Sequence, residues 1–267
     1  MRRGKVIFIK TLIPGIVKQT IDINCDLGEG MANDEALMKF ISSANIACGK
    51  HAGSADFAKR IIDLCLQSNV AIGAHPSFDD PHNFGRTEMK IPDDELYDLI
   101  LSQIQWLDEH ARLAGTNLVH VKPHGALYNL ASRDAQIAAV IVEAIVDYNE
   151  QLVLFGLSGS HLINEGKKAG LKIANEVFAD RTYQDNGSLT PRSQPEAMIN
   201  DVDQMEKHVL QLINGKVVSV SGKIMTIEAD TICIHGDHSW SVLFAERLTV
   251  LLENLQFAKR SFADTRT

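Results

Sequence analysis

Cysteine is scarce in this chain and scattered. Its four residues, Cys25, Cys48, Cys65 and Cys233, form no CxxC pair and no zinc-ribbon spacing, which excludes a disulfide scaffold and points to free thiols in a reducing, cytoplasmic compartment. Proline is also sparse, with seven in 267 residues. With 45% hydrophobic and 22% charged residues, the chain is neither disordered nor collagen-like and can bury a sizeable core. Positive charge runs short. The 26 Lys+Arg against 34 Asp+Glu give a formal net charge of −8, so no nucleic acid is expected as a partner, because that affinity comes from clustered Lys and Arg.

Long apolar runs are missing as well. None approaches the roughly 18 residues of a membrane span, so no membrane partner is expected. The first twenty residues are basic and apolar but do not read as a signal peptide. Lys10 and Pro14 break the stretch and no small-x-small cleavage site follows. Residues 1–16 are expected to lie outside the domain, which would run as one unit over 17–255 and be followed by a tail over 256–267. Three signatures are absent: a GxxxxGK[ST] phosphate loop, a GxGxxG turn after a strand and a GxSxG nucleophile elbow.

What the chain does have is alternation. Seven short apolar, β-branched runs, at 21–25, 44–48, 70–75, 118–123, 152–157, 172–177 and 231–235, are separated by segments of helical period, the pattern of parallel βαβ units. Ser54 reads as the N-cap of a helix carrying Phe57, Ile61, Leu64 and Cys65. Ser193-Gln194-Pro195-Glu196 reads as a capping box opening a helix through Met198, Val202, Met205, Val209 and Leu212. Residues 216–227 look like an appended hairpin.

Nearly every run ends in polar residues: Asp26-Leu27-Gly28-Glu29, Lys50-His51-Ala52-Gly53, His75-Pro76, Lys122-Pro123-His124-Gly125, Asp180-Arg181 and His235-Gly236-Asp237-His238. C-terminal strand edges are where sites assemble in α/β folds. Seven strands feeding one rim predict a closed or nearly closed (β/α) barrel. Asp22, Asn24 and Asp26 share one side of the first strand, and polar groups there need partners, either in a buried network or in a site.

Of the ten histidines, His51, His75, His124 and His235 fall at or past four different strand ends. With Asp26 they suit two chemistries. One is a divalent metal, for which Asp26, His51 and His75 are the candidate ligands; the other is metal-free acid–base work near neutral pH. Lys122 lies within an apolar strand, aimed at a substrate anion or held in an ion pair. Arg86 could clamp a carboxylate or phosphate. Asp180 and Arg181 either pair with each other or repeat the pattern of Asp26 and Glu29.

The runs Asp22-Ile23-Asn24-Cys25-Asp26-Leu27-Gly28-Glu29, Ala44-Asn45-Ile46-Ala47-Cys48-Gly49, His51-Ala52-Gly53, Gly73-Ala74-His75-Pro76, Phe84-Gly85-Arg86, Lys122-Pro123-His124-Gly125-Ala126-Leu127-Tyr128 and Glu176-Val177-Phe178-Ala179-Asp180-Arg181 closely resemble the LamB/YcsF family. The resemblance runs in order from about residue 20 to 250. It implies a seven-stranded (β/α) barrel of the glycoside hydrolase/deacetylase type. It also implies a place in a bacterial ATP-dependent complex, with two other subunits, that opens the lactam of 5-oxoproline to give glutamate with ATP as co-substrate.

In that setting His75 or His51 is the expected general base, oriented by Asp26, while Lys122 and His124 stabilise oxyanion or phosphate charge. Arg86 or Arg181 holds the substrate carboxylate, and Asn24, Glu29, Asn45, Tyr128, Glu176, Asp180 and His235 complete the expected substrate-binding set. Lys50 and Ser77 depart from the family pattern near His51 and His75, and the loop over 30–34 is short. Two rival readings are a stand-alone divalent-metal amide hydrolase and a non-catalytic oxoproline-binding subunit.

Overall fold

A computed structural model describes residues 19–265, and the expected extension over 1–16 lies outside the described residues. The strands in chain order are β1 (Thr20–Leu27), β2 (Ser43–Ala47), β3 (Ala71–His75), β4 (His120–Val121), β5 (Val153–Leu157), β6 (Lys172–Phe178), β7 (Lys216–Val218), β8 (Ile224–Thr226), β9 (Thr231–Cys233) and β10 (Ala258–Lys259). The helices are α1 (Asp34–Leu37), α2 (Ala55–Ser68), α3 (Asp93–Leu113), α4 (Gly125–Arg133), α5 (Ala135–Asn149), α6 (His161–Lys168), α7 (Val202–Ile213) and α8 (Ser241–Asn254).

Strands β1 to β6 and β9 pair in parallel in that order, and β9 bonds back to β1 with Asp22 opposite Thr231. That last pairing closes a barrel of seven strands. All seven contain segments expected as strands, and β7 and β8 form the expected antiparallel hairpin. Beyond α8, β10 returns to pair with Thr20 and Ile21 of β1.

The alternation along β1 explains the two layers. Ile21, Ile23, Cys25 and Leu27 face outward into a core shared with the surrounding helices, where Ile61, Ile104, Leu107, Ile141 and Leu248 are buried. Each such side chain contributes about 1.5–3 kcal/mol. The helix periods supply the matching faces, and Ser54 caps α2 as expected, accepting from the Phe57 amide. One expected helix start is corrected. Pro195–Ala197 forms a single 3₁₀ turn and Met198 bridges to Arg181, while α7 begins at Val202 with Asp201 as its cap, accepting from the Gln204 amide at 2.8 Å. The pairing with Arg181 keeps Met198 extended, so the capping-box pattern closes a loop instead of opening the helix.

Inside the barrel, Val153, Phe155 and Ala174 pack with Phe262 as an apolar cluster of their own. His120 stacks on Phe155, and room for its ring comes from Gly73. A Cβ there would lie 2.1 Å from His120 Nε2. Beside this cluster the barrel interior holds a column of polar side chains, with the Phe178 ring 5.5 Å from Lys122 Nζ.

Candidate active site

The inward side chains of β1 are each answered from a neighbouring strand. Asp22 accepts from Ser42 Oγ at 2.7 Å, Ser43 Oγ at 2.6 Å and the Thr231 hydroxyl. Burial nevertheless raises its carboxyl to about 6. One rung up, Asn45 Nδ2 donates to Asn24 Oδ1 and to Asp26 Oδ1, both at 2.8 Å, and Asn45 Oδ1 accepts from His120 Nε2 at 2.8 Å. Burial holds the His120 ring down at about 3, so it is neutral.

Lys122 sits at the centre of this column. Its Nζ lies 2.8 Å from Asp26 Oδ1, 2.9 Å from Glu176 Oε1 and 3.2 Å from Asn24 Oδ1. The opposite oxygen of Glu176 accepts from the Tyr128 hydroxyl at 2.6 Å. Burial alone would lower the ammonium, but the carboxylates, Asp26 foremost, outweigh it and hold it well above its ordinary value. Asp26 is correspondingly held well below the usual carboxylate range, with His75 and Lys122 together overcoming its burial.

Above Asp26 stand three histidines. His75 Nε2 lies 3.3 Å from Asp26 Oδ2 and 2.9 Å from His124 Nδ1. His51 stacks flat on His124 with ring centres 3.8 Å apart, and its Nε2 is 3.1 Å from Glu29 Oε1. The Phe84-Gly85-Arg86 turn presses on this stack. Gly85 has φ +64°, and a Cβ there would lie 2.8 Å from His51 Cβ and 2.9 Å from His124 Cδ2. Only glycine fits that approach without strain. Burial pushes His51 down, and His124, which also faces His75 and His51, is pushed well below its ordinary value.

A cavity of about 450 Å³ opens over this floor. Asp26, Glu29, His75, Lys122, His124, Tyr128 and His235 line its base, and Arg86, Arg181 and Arg192 line its wall. Arg181 is 5% exposed. It does not pair with Asp180, which instead accepts from the His235 backbone and ring. Its guanidinium donates to the carbonyls of Thr190 at 2.6 Å and Ala197 at 3.3 Å, and among the described residues no carboxylate pairs with it. Burial, and then the neighbouring Arg192, lower it to about 10, still cationic at neutral pH. Arg86 and Arg192 both lean on Asp237, at 3.2 and 3.9 Å.

Nine of the expected site residues thus meet at one cavity. His51, Asn24, Asn45, Glu176 and Asp180 do not line it; they lie beneath or behind the groups that do. Ser77, notable in the sequence only as a departure from the family pattern, is the partner of His51 Nδ1 at 2.9 Å. Arg192, Phe178 and His120 lie outside the expected set. Arg192 comes from the loop between β6 and α7, which carries no periodic signal.

Glu29, His51, His75 and His124 bring donor atoms within 4.8 Å of one another, as do Asp26, Cys233 and His235, and either group could hold a metal ion. The second is served already by Lys122 Nζ, 3.3 Å from Cys233 Sγ.

A closed parallel barrel of seven strands ringed by helices is a (β/α) barrel with the fold of the deacetylase type. A CE4 family pseudoenzyme, solved as a mutant with restored enzymatic activity, has this fold at a TM-score of 0.52, with 10% identity over 92% of this chain and 67% of that one. The chain belongs to the LamB/YcsF family, whose model matches residues 21–267. It is 50% identical over 240 residues to the 5-oxoprolinase A subunit of Oceanobacillus iheyensis, covering 88% of this chain and 93% of that protein. The protein of the same name from Bordetella pertussis is 47% identical over 239 residues, covering 87% and 95%. A lactam utilization protein from Thermus thermophilus superposes with a TM-score of 0.84 at 36% identity, covering 91% of this chain and all of that one. Among the described residues no helix is long and apolar enough to cross a membrane.

Proposed function

We propose that this chain binds 5-oxo-L-proline and opens its lactam as one subunit of an ATP-dependent complex with two others, yielding L-glutamate. The observation that supports this most is one cavity joining two elements. On its floor a buried ammonium, Lys122, stands beside the His75–Asp26 pair; on its wall is a buried guanidinium, Arg181, without a carboxylate partner among the described residues. In this reading the substrate carboxylate meets Arg181 and the lactam carbonyl lies toward Lys122. The cavity exceeds what a small cyclic amino acid fills, which leaves space for a phosphoryl group.

A lactam is a resonance-stabilised amide, so water alone attacks it slowly. Transfer of a phosphoryl group from ATP to the carbonyl oxygen removes that resonance. Water then adds to the carbon, its proton passing to His75 Nε2, with Asp26 beside that nitrogen balancing the imidazolium. Lys122 stabilises the developing negative charge. The carbon–nitrogen bond breaks as the ring nitrogen takes the proton from His75 and leaves as the amine, and a second water hydrolyses the acyl phosphate to glutamate and phosphate. Lacking a phosphate loop, the chain is assigned no nucleotide site of its own; ATP is handled with the partner subunits. His75 serves better than His51 as base because it faces the cavity.

Calorimetric titration of the chain with 5-oxoproline, beside 2-pyrrolidinone, tests the reading. The second ligand is the same ring without the carboxylate, and losing one charge-assisted contact should weaken binding about 10–100-fold. Arg181→Met should abolish the difference and Arg181→Lys should keep part of it. Equal affinity for the two ligands, or no 5-oxoproline binding by the chain or by the assembled complex, overturns it.

A further inference from the structure

Three guanidinium groups gather on the wall of the cavity. Arg86 belongs to the loop after β3, and Arg181 and Arg192 to the loop after β6. Arg192 lies near enough to Arg181 to oppose its charge. Like charges drawn together at a cavity repel, and an anion is needed to hold them.

Among the described residues a single carboxylate answers all three. Asp237, from the loop after β9, has its Oδ2 3.2 Å from Arg86 and 3.9 Å from Arg192, while Arg181 is held only by backbone carbonyls. Asp237 Oδ1 makes no hydrogen bond among the described residues. His238 Nε2 stands 3.2 Å from it, but that ring lies flat on Trp240 and burial lowers its pKa, so it adds no lasting positive charge. The fourth arginine at the cavity, Arg133, is different: Glu88 neutralises it at 2.5 Å. Three positive charges against one negative leave an excess of two on this wall. The single carboxylate of 5-oxoproline cannot balance it.

We infer that Arg86 and Arg192 form a subsite for a phosphoryl dianion, and that Asp237 occupies their charge until that group arrives. Each guanidinium carries five N–H donors in a planar fork that matches phosphoryl oxygens, and one shared carboxylate oxygen engages few of them. Both side chains stay reachable, at 42% and 28% exposed. With the substrate carboxylate on Arg181, a phosphoryl dianion on Arg86 and Arg192 brings the three guanidiniums to neutrality. Asp237 is then surplus and gives way. Arg86 keeps a second hold when it does, because its guanidinium carbon lies 4.9 Å from the centre of the Phe84 ring. Arg86 also follows directly on the turn that presses on His51 and His124, so the subsite adjoins the histidine floor. That the phosphoryl group is the one carried by the activated lactam rests on the reading above; the subsite itself rests on the charges of the three loops.

Calorimetric titration of the full chain with inorganic phosphate, at constant ionic strength set by chloride, provides the test. One phosphate per chain is expected, both alone and with saturating 5-oxoproline, because the two anions take different arginines. Arg86→Gln and Arg192→Gln should each weaken phosphate about 10-fold. Arg133→Gln combined with Glu88→Gln removes a pair that is already neutral and should leave the affinity unchanged. Asp237→Asn separates the roles. It removes the competing anion and should tighten phosphate about 2–5-fold, whereas losing a carboxylate that merely braces the arginines would weaken it. ATP carries the same chemistry on a nucleotide and should bind no more tightly than phosphate. Circular dichroism confirms that each variant is folded. The proposal is overturned by a chain that binds no phosphate in either condition, by affinity that Arg86→Gln and Arg192→Gln leave unchanged, or by weaker binding in Asp237→Asn. Displacement of phosphate by 5-oxoproline overturns it too, as does tighter ATP binding that the two arginine variants abolish. Phosphate binding with this dependence in a chain that ignores 5-oxoproline supports the subsite and removes the lactam reading, so the two failures are distinct.

Discussion

Lys122→Met keeps the length of the side chain and removes its charge, and the structure says what that costs. One ammonium, 2% exposed, serves two buried carboxylates at 2.8 and 2.9 Å. Removing one partner of a buried ion pair costs about 3–5 kcal/mol, mostly because the remaining charge is stranded. Here two charges are stranded, although Asp26 retains Asn45 and His75, and Glu176 retains Tyr128. The expectation is therefore the upper part of that range, about 4–5 kcal/mol. Neutralising one stranded group should return part of the loss. Lys122→Met combined with Glu176→Gln keeps an acceptor for Tyr128 and should recover about 1–3 kcal/mol. Urea unfolding at neutral pH, followed by the fluorescence of Trp106 and Trp240, measures both. Strictly additive energies in the double variant, or a single variant within about 1 kcal/mol of wild type, would refute the assignment of Lys122 as the shared counter-ion.

Asp22 predicts a pH dependence of stability. Its carboxyl titrates near 6 in the folded chain against an ordinary 3.8, so the native state holds this proton while the unfolded chain has released it. The stabilisation is complete below about pH 4 and is lost as pH rises through 6, a change of about 3 kcal/mol. Asp22→Asn should gain on wild type by that amount between pH 4 and 7 in urea titrations; parallel curves would rule it out. Gly85→Ala should lose about 1–3 kcal/mol more than Gly49→Ala, because both glycines have positive φ but only Gly85 meets side chains. Thermal melts of the two variants make the comparison, and equal losses would contradict it.

The barrel was legible because its strands are apolar runs broken by polar rim residues, and the outward faces of the helices obey a simple period. The site was legible in part for the same reason. His75, Lys122 and Asp26 interrupt otherwise buried strands, where an ionisable side chain demands a partner. Which of them meet was not legible, since that depends on strand register across the barrel. Thus Glu29 and His124, and not Asp26, join His51 and His75 in one donor group, and Asp180 turns to His235 instead of Arg181. His120 carries no signal of its own because it stands at the start of its strand, below the rim, where it serves Asn45. The displaced start of α7 has a similar origin. Ser193 to Glu196 has capping-box spacing, but pairing with Arg181 holds the chain extended until Asp201.

The most direct measurement of the proposed activity is conversion of ¹³C-labelled 5-oxoproline to glutamate by the chain reconstituted with the two subunits proposed as its partners, read by NMR with and without ATP. Wild-type chain should give glutamate only when ATP is present. Asp26→Asn, which keeps the shape of the floor but removes the charge facing both His75 and Lys122, should lower the rate at least about 100-fold. No ATP-dependent glutamate with the wild-type chain, or an undiminished rate with Asp26→Asn in a complex that still assembles, would contradict a lactam-opening site at this rim.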